Sequence, residues 1–341
     1  MYDLRSLTLA ELEEAVVAMG EAKFRAVQIF KWLHQKYADS FSEMTNVSLQ
    51  LREQLQNKFC ITPVMLVEET KSNENIVAKY LFSVPKNNII ESVFMKYSYG
   101  NALCISTQVG CRMGCLFCAS GALGLERGLS AGEMCAQIYK VGQQLGEKIS
   151  NVILMGIGEP FDNFAEVMKF LNIIGHKDGL GLGARQITIS TCGLVDKIEA
   201  FARVKSQVNL AVSLHASNDD IRHQIMPITK RYPINAVIDA CKAYSEVTRR
   251  RVTYEYALIA GLNDSAGCAK ELAGLIKGNL CHVNLIPLNA AKGQYSASKS
   301  HVVKQFAQVL QNSGIKCTIR RSLGTDILAA CGQLRRNYIG D

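Results

Sequence analysis

Three cysteines stand four and then three residues apart in Cys111-Arg112-Met113-Gly114-Cys115-Leu116-Phe117-Cys118. Thiols so close in sequence can converge in one loop, and converging thiols hold zinc or an iron–sulfur cluster. Structural zinc wants four protein ligands, and no close fourth Cys or His follows here. A 4Fe–4S cluster also normally takes four thiolates. Three would leave one iron without a protein ligand, a corner able to take a substrate's amine and carboxylate. Of the twelve cysteines in the chain, Cys60, Cys135, Cys241, Cys268, Cys281 and Cys317 lie in apolar or helical stretches and read as small buried hydrophobes.

Two further groups could carry chemistry. Met155-Gly156-Ile157-Gly158-Glu159-Pro160 runs from an apolar stretch into glycines. It is no dinucleotide fingerprint, because Phe161 stands where the third glycine belongs. Its glycines would instead let backbone approach a ligand, and Glu159 could accept from an ammonium group. The second group surrounds Cys331, between Gly324 and Gly332, with Arg320, Arg321, Arg335 and Arg336 near in sequence. Such cations favour a thiolate, which is what a nucleophile needs. Cys104, seven residues before the cysteine motif, is a possible partner for it, although core packing is the better reading of Cys104 from sequence alone.

The elements that must position these residues form an α/β pattern. With 341 residues, 48% hydrophobic and 20% charged, the chain can bury a sizeable core. Residues 1 to about 60 read as helices, with a capping box at Thr8–Glu11 and helical spacing over 22–37. IVAKYLFSV (76–84) and NNIIESVFMKYS (87–98) read as strands around a Pro85–Asn88 turn. From residue 102, apolar runs recur at 103–107, 151–155, 186–190, 208–214, 251–259, 281–287 and 315–321, mostly alternating with helical segments. That alternation means a parallel sheet, as a barrel or a doubly wound layer. Ser190, Ser213, Leu214, His215 and Asn289, the cysteine loop and Gly158–Glu159 then all fall at the C-terminal ends of strands. In a parallel barrel those ends share one face, where active sites are built.

Composition narrows the setting. No apolar run approaches the roughly 20 residues of a membrane span, and the acidic, amphipathic start MYDLRSLTLAELEE reads as a domain start and not as a signal peptide. Many cysteines without an export signal point to a cytoplasmic, reducing compartment. A net charge of +8 leans toward an anionic partner such as RNA.

The C-x-x-x-C-x-Φ-C spacing resembles the signature of the radical S-adenosylmethionine (SAM) enzymes. Together with CISTQVGC (104–111), GIGEPFDN (156–163), SLHA (213–216), HVNLIPLN (282–289) and DILAACGQLR (326–335), it resembles the RlmN/Cfr family of RNA methyltransferases over nearly the whole chain. The resemblance implies a radical SAM partial (β/α)6 barrel with a small N-terminal helical domain and a β linker region. Its divisions would be an accessory part at 1–95 that docks RNA, a core at 96–330, and a tail from 331 to 341. It implies a 4Fe–4S cluster on Cys111, Cys115 and Cys118, with SAM on the fourth iron and two SAM molecules used per turnover. Gly158, Glu159, Ser190, Ser213, Leu214, His215 and Asn289 would contact SAM.

For the reaction, the resemblance implies methylation of adenosine C2 in the peptidyl-transferase loop of 23S rRNA, and of the adenosine 3′ of the anticodon in tRNA. Cys331 would carry the methyl group, Cys104 would release the product through a transient disulfide, and Glu91 would accept a proton. A carboxylate on a solvated strand edge is an equally good reading of Glu91. A reducing partner such as flavodoxin or ferredoxin would serve the cluster, and no membrane is involved. Alternatives are C8 methylation of the same base, or an iron–sulfur RNA-binding protein without catalysis. Cys192 stands where a serine is expected. Basic residues of the N-terminal helices, Arg249–Arg251 and the C-terminal arginines are candidates for phosphate contact.

Overall fold

Thr8 and Glu11 form the expected capping box, each satisfying the other's free amide, and start α1 (Leu9–Val17). Helices α2 (Phe24–His34) and α3 (Leu49–Lys58) follow, and the two-residue strands β1 (Tyr2–Asp3) and β2 (Phe59–Cys60) pair in parallel to tie the segment's ends together. The structure is a computed structural model and describes residues 1–288, 295–320 and 324–327. Among them no helix is long and apolar enough to cross a membrane.

After the helices come β3 (Met65–Lys71), β4 (Val77–Val84) and β5 (Asn88–Tyr97), an antiparallel meander. Next, β6 (Gly100–Cys104) pairs antiparallel with β5 on one side and parallel with β9 (Asn151–Leu154) on the other. Between them β7 (Gln108–Cys111) and β8 (Gly124–Gly128) form a separate hairpin that carries the cysteine loop. Parallel pairing continues through β10 (Ile187–Thr191), β11 (Asn209–Ser213), β12 (Val252–Leu258), β13 (Cys281–Pro287) and β14 (Cys317–Ile319). One ten-stranded sheet results, in the order β14-β13-β12-β11-β10-β9-β6-β5-β4-β3. Residue 95 lies within β5, so the sheet is continuous past that point.

Helices α4 (Ala131–Leu145), α5 (Phe164–Gly175), α6 (Val195–Val204), α7 (Asp219–Ile225), α8 (Ile234–Thr248), α9 (Ala266–Ile276) and α10 (Ser300–Asn312) fill the connections. Alternate strand residues such as Val152, Ile189, Val212, Tyr254 and Leu285 are buried in the main apolar core. The other face is mixed: Ile153, Thr188, Ala211, Thr253, Glu255 and Asn284 line a cavity. The sheet curls around that cavity. Arg320, just past β14, brings Nη1 to 4.0 Å from Sδ of Met155 at the end of β9, a contact that a flat sheet would forbid.

The N-terminal helices dock on the outer layer. The Ser6 hydroxyl accepts from the Gly132 amide at 2.9 Å, Lys169 pairs with Glu11 at 2.7 Å, and His34 Nδ1 lies 2.8 Å from the Tyr139 hydroxyl.

Candidate active site

Cys111 ends β7, and Cys115 and Cys118 follow in a loop held from three sides. The Leu116 amide donates to the Ile225 carbonyl at 3.0 Å, and Cys118 N donates to Cys115 O at 3.1 Å. The Arg112 guanidinium binds Asp162, whose other oxygen accepts from Gln108 Nε2 at 2.9 Å. The loop is thereby locked to the Gly156–Asn163 turn. That turn must come close. Gly158 sits at φ 110°, and a Cβ there would meet the Gln108 side chain at 2.6 Å, so only glycine fits.

All three cysteines line one cleft of about 910 Å³ of empty space. Gly158, Glu159, Ser190, Ser213 and His215 line it too, so the structure gathers these expected residues at one end of the bore. Leu214 sits between two cleft-lining residues but turns its side chain away from the cleft. Its side chain lies in the main core, and its backbone is already used: N–H donates to Glu255 O at 3.0 Å, and its carbonyl accepts from Arg222 Nε at 3.3 Å. Asn289 and Cys331 lie outside the described residues. Glu91 is buried in β5, two residues from Val93, which pairs with Cys104 in register. It is therefore no solvated edge carboxylate. Cys104 is buried in an apolar cluster with Val77, Val93, Met95 and Ile157, and Ile327 packs against that cluster.

The electrostatics follow from burial. Glu159 Oε1 accepts from Phe161 N at 3.0 Å and Oε2 from Cys192 N at 2.8 Å, yet burial still raises its pKa. His215 Nδ1 accepts from the Ala257 amide at 2.9 Å, which leaves the proton on Nε2. Burial, helped by the Arg222 charge, lowers its pKa to about 3, so it is a neutral donor. Burial pushes the Cys111 thiol up to about 12, with Glu159, Cys118 and Asp162 adding to the rise. Cys115 is raised further for the same reasons, with Arg222 opposing.

The donor set fits an iron–sulfur cube. Thiols raised this far need an incoming cationic centre before they give up their protons. Among the described residues no three His, Cys, Asp or Glu side chains gather closely enough for a single metal ion. All three cysteines line one cleft, whose remaining wall is open to a second ligand.

Two participants were not singled out from the sequence, and a third, Cys192, was named without a role. Glu255 lines the cleft from within β12, its Oε2 accepting from Asn284 at 3.0 Å, and burial raises its pKa. Its signal was a carboxylate inside the apolar run RVTYEYALI. Arg222 is fully buried and donates to the carbonyls of Leu214, Tyr232 and Cys192 and to Thr229, stitching together the loops after β10 and β11. Cys192, noted for its type only, lines the cleft beside Glu159, and burial raises its thiol pKa strongly.

A curled parallel sheet with a three-cysteine loop at its strand C-termini defines a radical SAM enzyme, a class that uses a 4Fe–4S cluster and SAM. The Radical SAM superfamily model matches residues 105–267, and that of the Ribosomal RNA large subunit methyltransferase N-terminal domain matches 2–61. A probable dual-specificity RNA methyltransferase RlmN of Thermoanaerobacter sp. (strain X514) is 49% identical over 340 residues, 99% of each chain. One from Alkaliphilus oremlandii (strain OhILAs) is 50% identical over 338 residues, 99% of this chain and 98% of its own. The crystal structure of a radical SAM methyltransferase from Sphaerobacter thermophilus superposes with a TM-score of 0.94 at 44% identity, covering 99% of this chain and all of the other. The chain belongs to the RlmN family of dual-specificity RNA methyltransferases.

Proposed function

We propose that this enzyme methylates C2 of an adenosine in 23S rRNA and of the adenosine 3′ of the anticodon in tRNA, using Cys331 and Cys104. The observation that carries the thiol pair is the packing of Ile327 against the cluster that contains Cys104. Cys331 is four residues further along, so the chain tethers it within about 14 Å of Ile327. Adenine C2 is a poor nucleophile, so a methyl group handed over by displacement alone would transfer slowly.

Cys111, Cys115 and Cys118 would hold the cluster, which with bound SAM supplies one-electron chemistry in the cleft. Gly158, Ser190, Ser213 and the His215 Nε2–H offer close backbone and hydrogen-bond partners there. Cys331 carries the methyl carbon as a thioether. Once that carbon is joined to adenine C2 and the C2 proton has left, the Cys104 thiolate would attack the Cys331 sulfur and break its bond to the carbon. The carbon keeps that electron pair, takes a proton and becomes the methyl group on C2, and an external dithiol reduces the Cys104–Cys331 disulfide left behind. Glu91 would take the C2 proton; its burial on the same strand as Val93 supports that reading. The N-terminal helices would dock RNA, the chain's net charge of +8 favours an anionic partner, and a low-potential protein such as flavodoxin or ferredoxin would reduce the cluster.

Nucleoside mass spectrometry of rRNA and tRNA treated with the anaerobic, reduced enzyme and SAM tests this reading. It expects 2-methyladenosine from both RNAs. Finding 8-methyladenosine alone would move the enzyme to the C8-methylating branch and refute the assignment.

A further inference from the structure

Beneath the thiol-lined cleft the bore opens into a second recess with about 1420 Å³ of empty space, which the methylation chemistry leaves unused. Inward residues of the parallel strands, Thr188, Thr253 and Asn284 among them, form its wall. Asn209 and the run Arg249-Arg250-Arg251 stand at the N-terminal ends of β11 and β12. The run is set there by the chain itself: α8 ends at Thr248, and Arg249 turns the backbone at φ 57° into β12.

Among the described residues none of these three arginines has a carboxylate within ion-pair distance. Arg250 is used structurally, donating to Asn209 Oδ1 at 2.6 Å. Arg249 and Arg251 are exposed. Of the acids, only Glu255 lines the recess among the described residues, and it lies deeper in β12, bonded by Asn284. Beside the recess, though not among its lining residues, one ring nitrogen lacks a partner. His282, opposite Thr253 in register, bonds Thr318 through Nε2 at 3.0 Å, while its Nδ1 is buried with no hydrogen bond.

Adjacent like charges repel, and among the described residues no carboxylate pairs directly with them. Guanidinium forks match the oxygens of a phosphate, and the hydroxyls and amides of the wall suit a sugar beside it. We propose that the lower recess, which adjoins the methyl-transfer cleft at Met155, Glu255 and Arg320, is a phosphate-binding site that holds a phosphodiester of the RNA strand on which the enzyme acts. The RNA origin of that phosphate rests on the function proposed above; the phosphate chemistry does not. The site would grip substrate on the face of the barrel opposite the cysteine loop.

The test uses the full chain and three probes: inorganic phosphate, AMP and a tRNA anticodon stem-loop. Burial and the charges of Arg251 and Lys316 hold His282 below its ordinary pKa, so an anion bound beside them raises its titration midpoint, read from ring resonances in NMR. The double variant Arg249→Gln/Arg251→Gln, both exposed, should weaken stem-loop binding about tenfold and flatten its salt dependence by a slope of about 1 to 2. Thermal melting checks that the variant is folded, and the wild-type NMR titration needs no variant at all.

A raised His282 midpoint with phosphate and stem-loop, together with the flattened slope, establishes the site. If AMP binding is lost in the variant while the stem-loop is unaffected, the recess takes a free nucleotide and the RNA assignment falls. No His282 response to any probe, or a variant defect confined to docking of an acidic flavoprotein, overturns the phosphate site. Failure of the wild type to make 2-methyladenosine while these binding results hold would sink the proposed reaction and leave the recess standing.

Discussion

Asp326 accepts a hydrogen bond from the Asn73 backbone amide at 3.0 Å, joining positions 253 residues apart. The turn between β3 and β4 thereby holds the short segment whose next residue, Ile327, packs toward Cys104. A sulfur meant to meet both RNA and Cys104 gains effective concentration from such a tether. Asp326→Ala should therefore slow formation of the Cys104–Cys331 disulfide under mild oxidation by about tenfold, about the 1.4 kcal/mol of one modest charge-assisted hydrogen bond. Asp326→Asn, which keeps an accepting oxygen, should restore most of that rate. Mass spectrometry of trapped thiols against time gives the comparison.

The two thiols should fail differently. Cys331→Ala removes the methyl carrier and should abolish product. Cys104→Ala should leave the first steps intact and accumulate protein covalently joined to RNA, visible as a band on denaturing gels. A Cys104→Ala enzyme that releases methylated RNA at the normal rate would refute the resolving role.

Arg222 should matter for stability as well as for the cleft. Arg222→Met leaves the carbonyls of Cys192, Leu214 and Tyr232 short of a donor in a buried place. Loss of about 3 kcal/mol is expected, measured by urea unfolding. Arg222→Lys should recover only part, because one ammonium cannot span three loops.

Much of this architecture was legible in the residues. Periodicity marked the seven strands of the main sheet from β6 onward but not the β7–β8 hairpin, and the capping box at Thr8 is present in the structure. The cysteine loop and its strand-end partners were legible because a fixed spacing and a shared rim are local signals. Glu255 and Arg222 were not, since each takes its meaning from neighbours distant in sequence: Asn284 for one, Cys192 and Leu214 for the other. The direction of the Leu214 side chain was not legible either: its neighbours at 213 and 215 face the cleft while strand alternation turns it into the core. The sheet's inner face was likewise hidden, because apolar runs conceal which alternate positions line a bore.

Acid should destabilise the fold through histidine. His34 is fully buried, and burial, with the charges of Arg5 and His176, lowers its pKa to about 3. Unfolded, it would titrate near 6.5, so between these values the unfolded chain binds a proton that the folded chain refuses. Stability is therefore complete above about pH 6.5 and falls as pH drops toward 3. By pH 5 this one residue should account for about 2 kcal/mol of loss. Urea unfolding at pH 7 and 5 should show that difference shrinking in His34→Phe, whose ring cannot take a proton.

Iron and sulfide content, with the visible spectrum, of protein purified without oxygen tests the central assignment most directly. The brown absorbance of a cube with about four irons per chain is expected, lost when Cys111, Cys115 or Cys118 is changed to alanine and kept in Cys104→Ala and Cys331→Ala. Colourless protein that resists reconstitution and carries only zinc at these cysteines would contradict it.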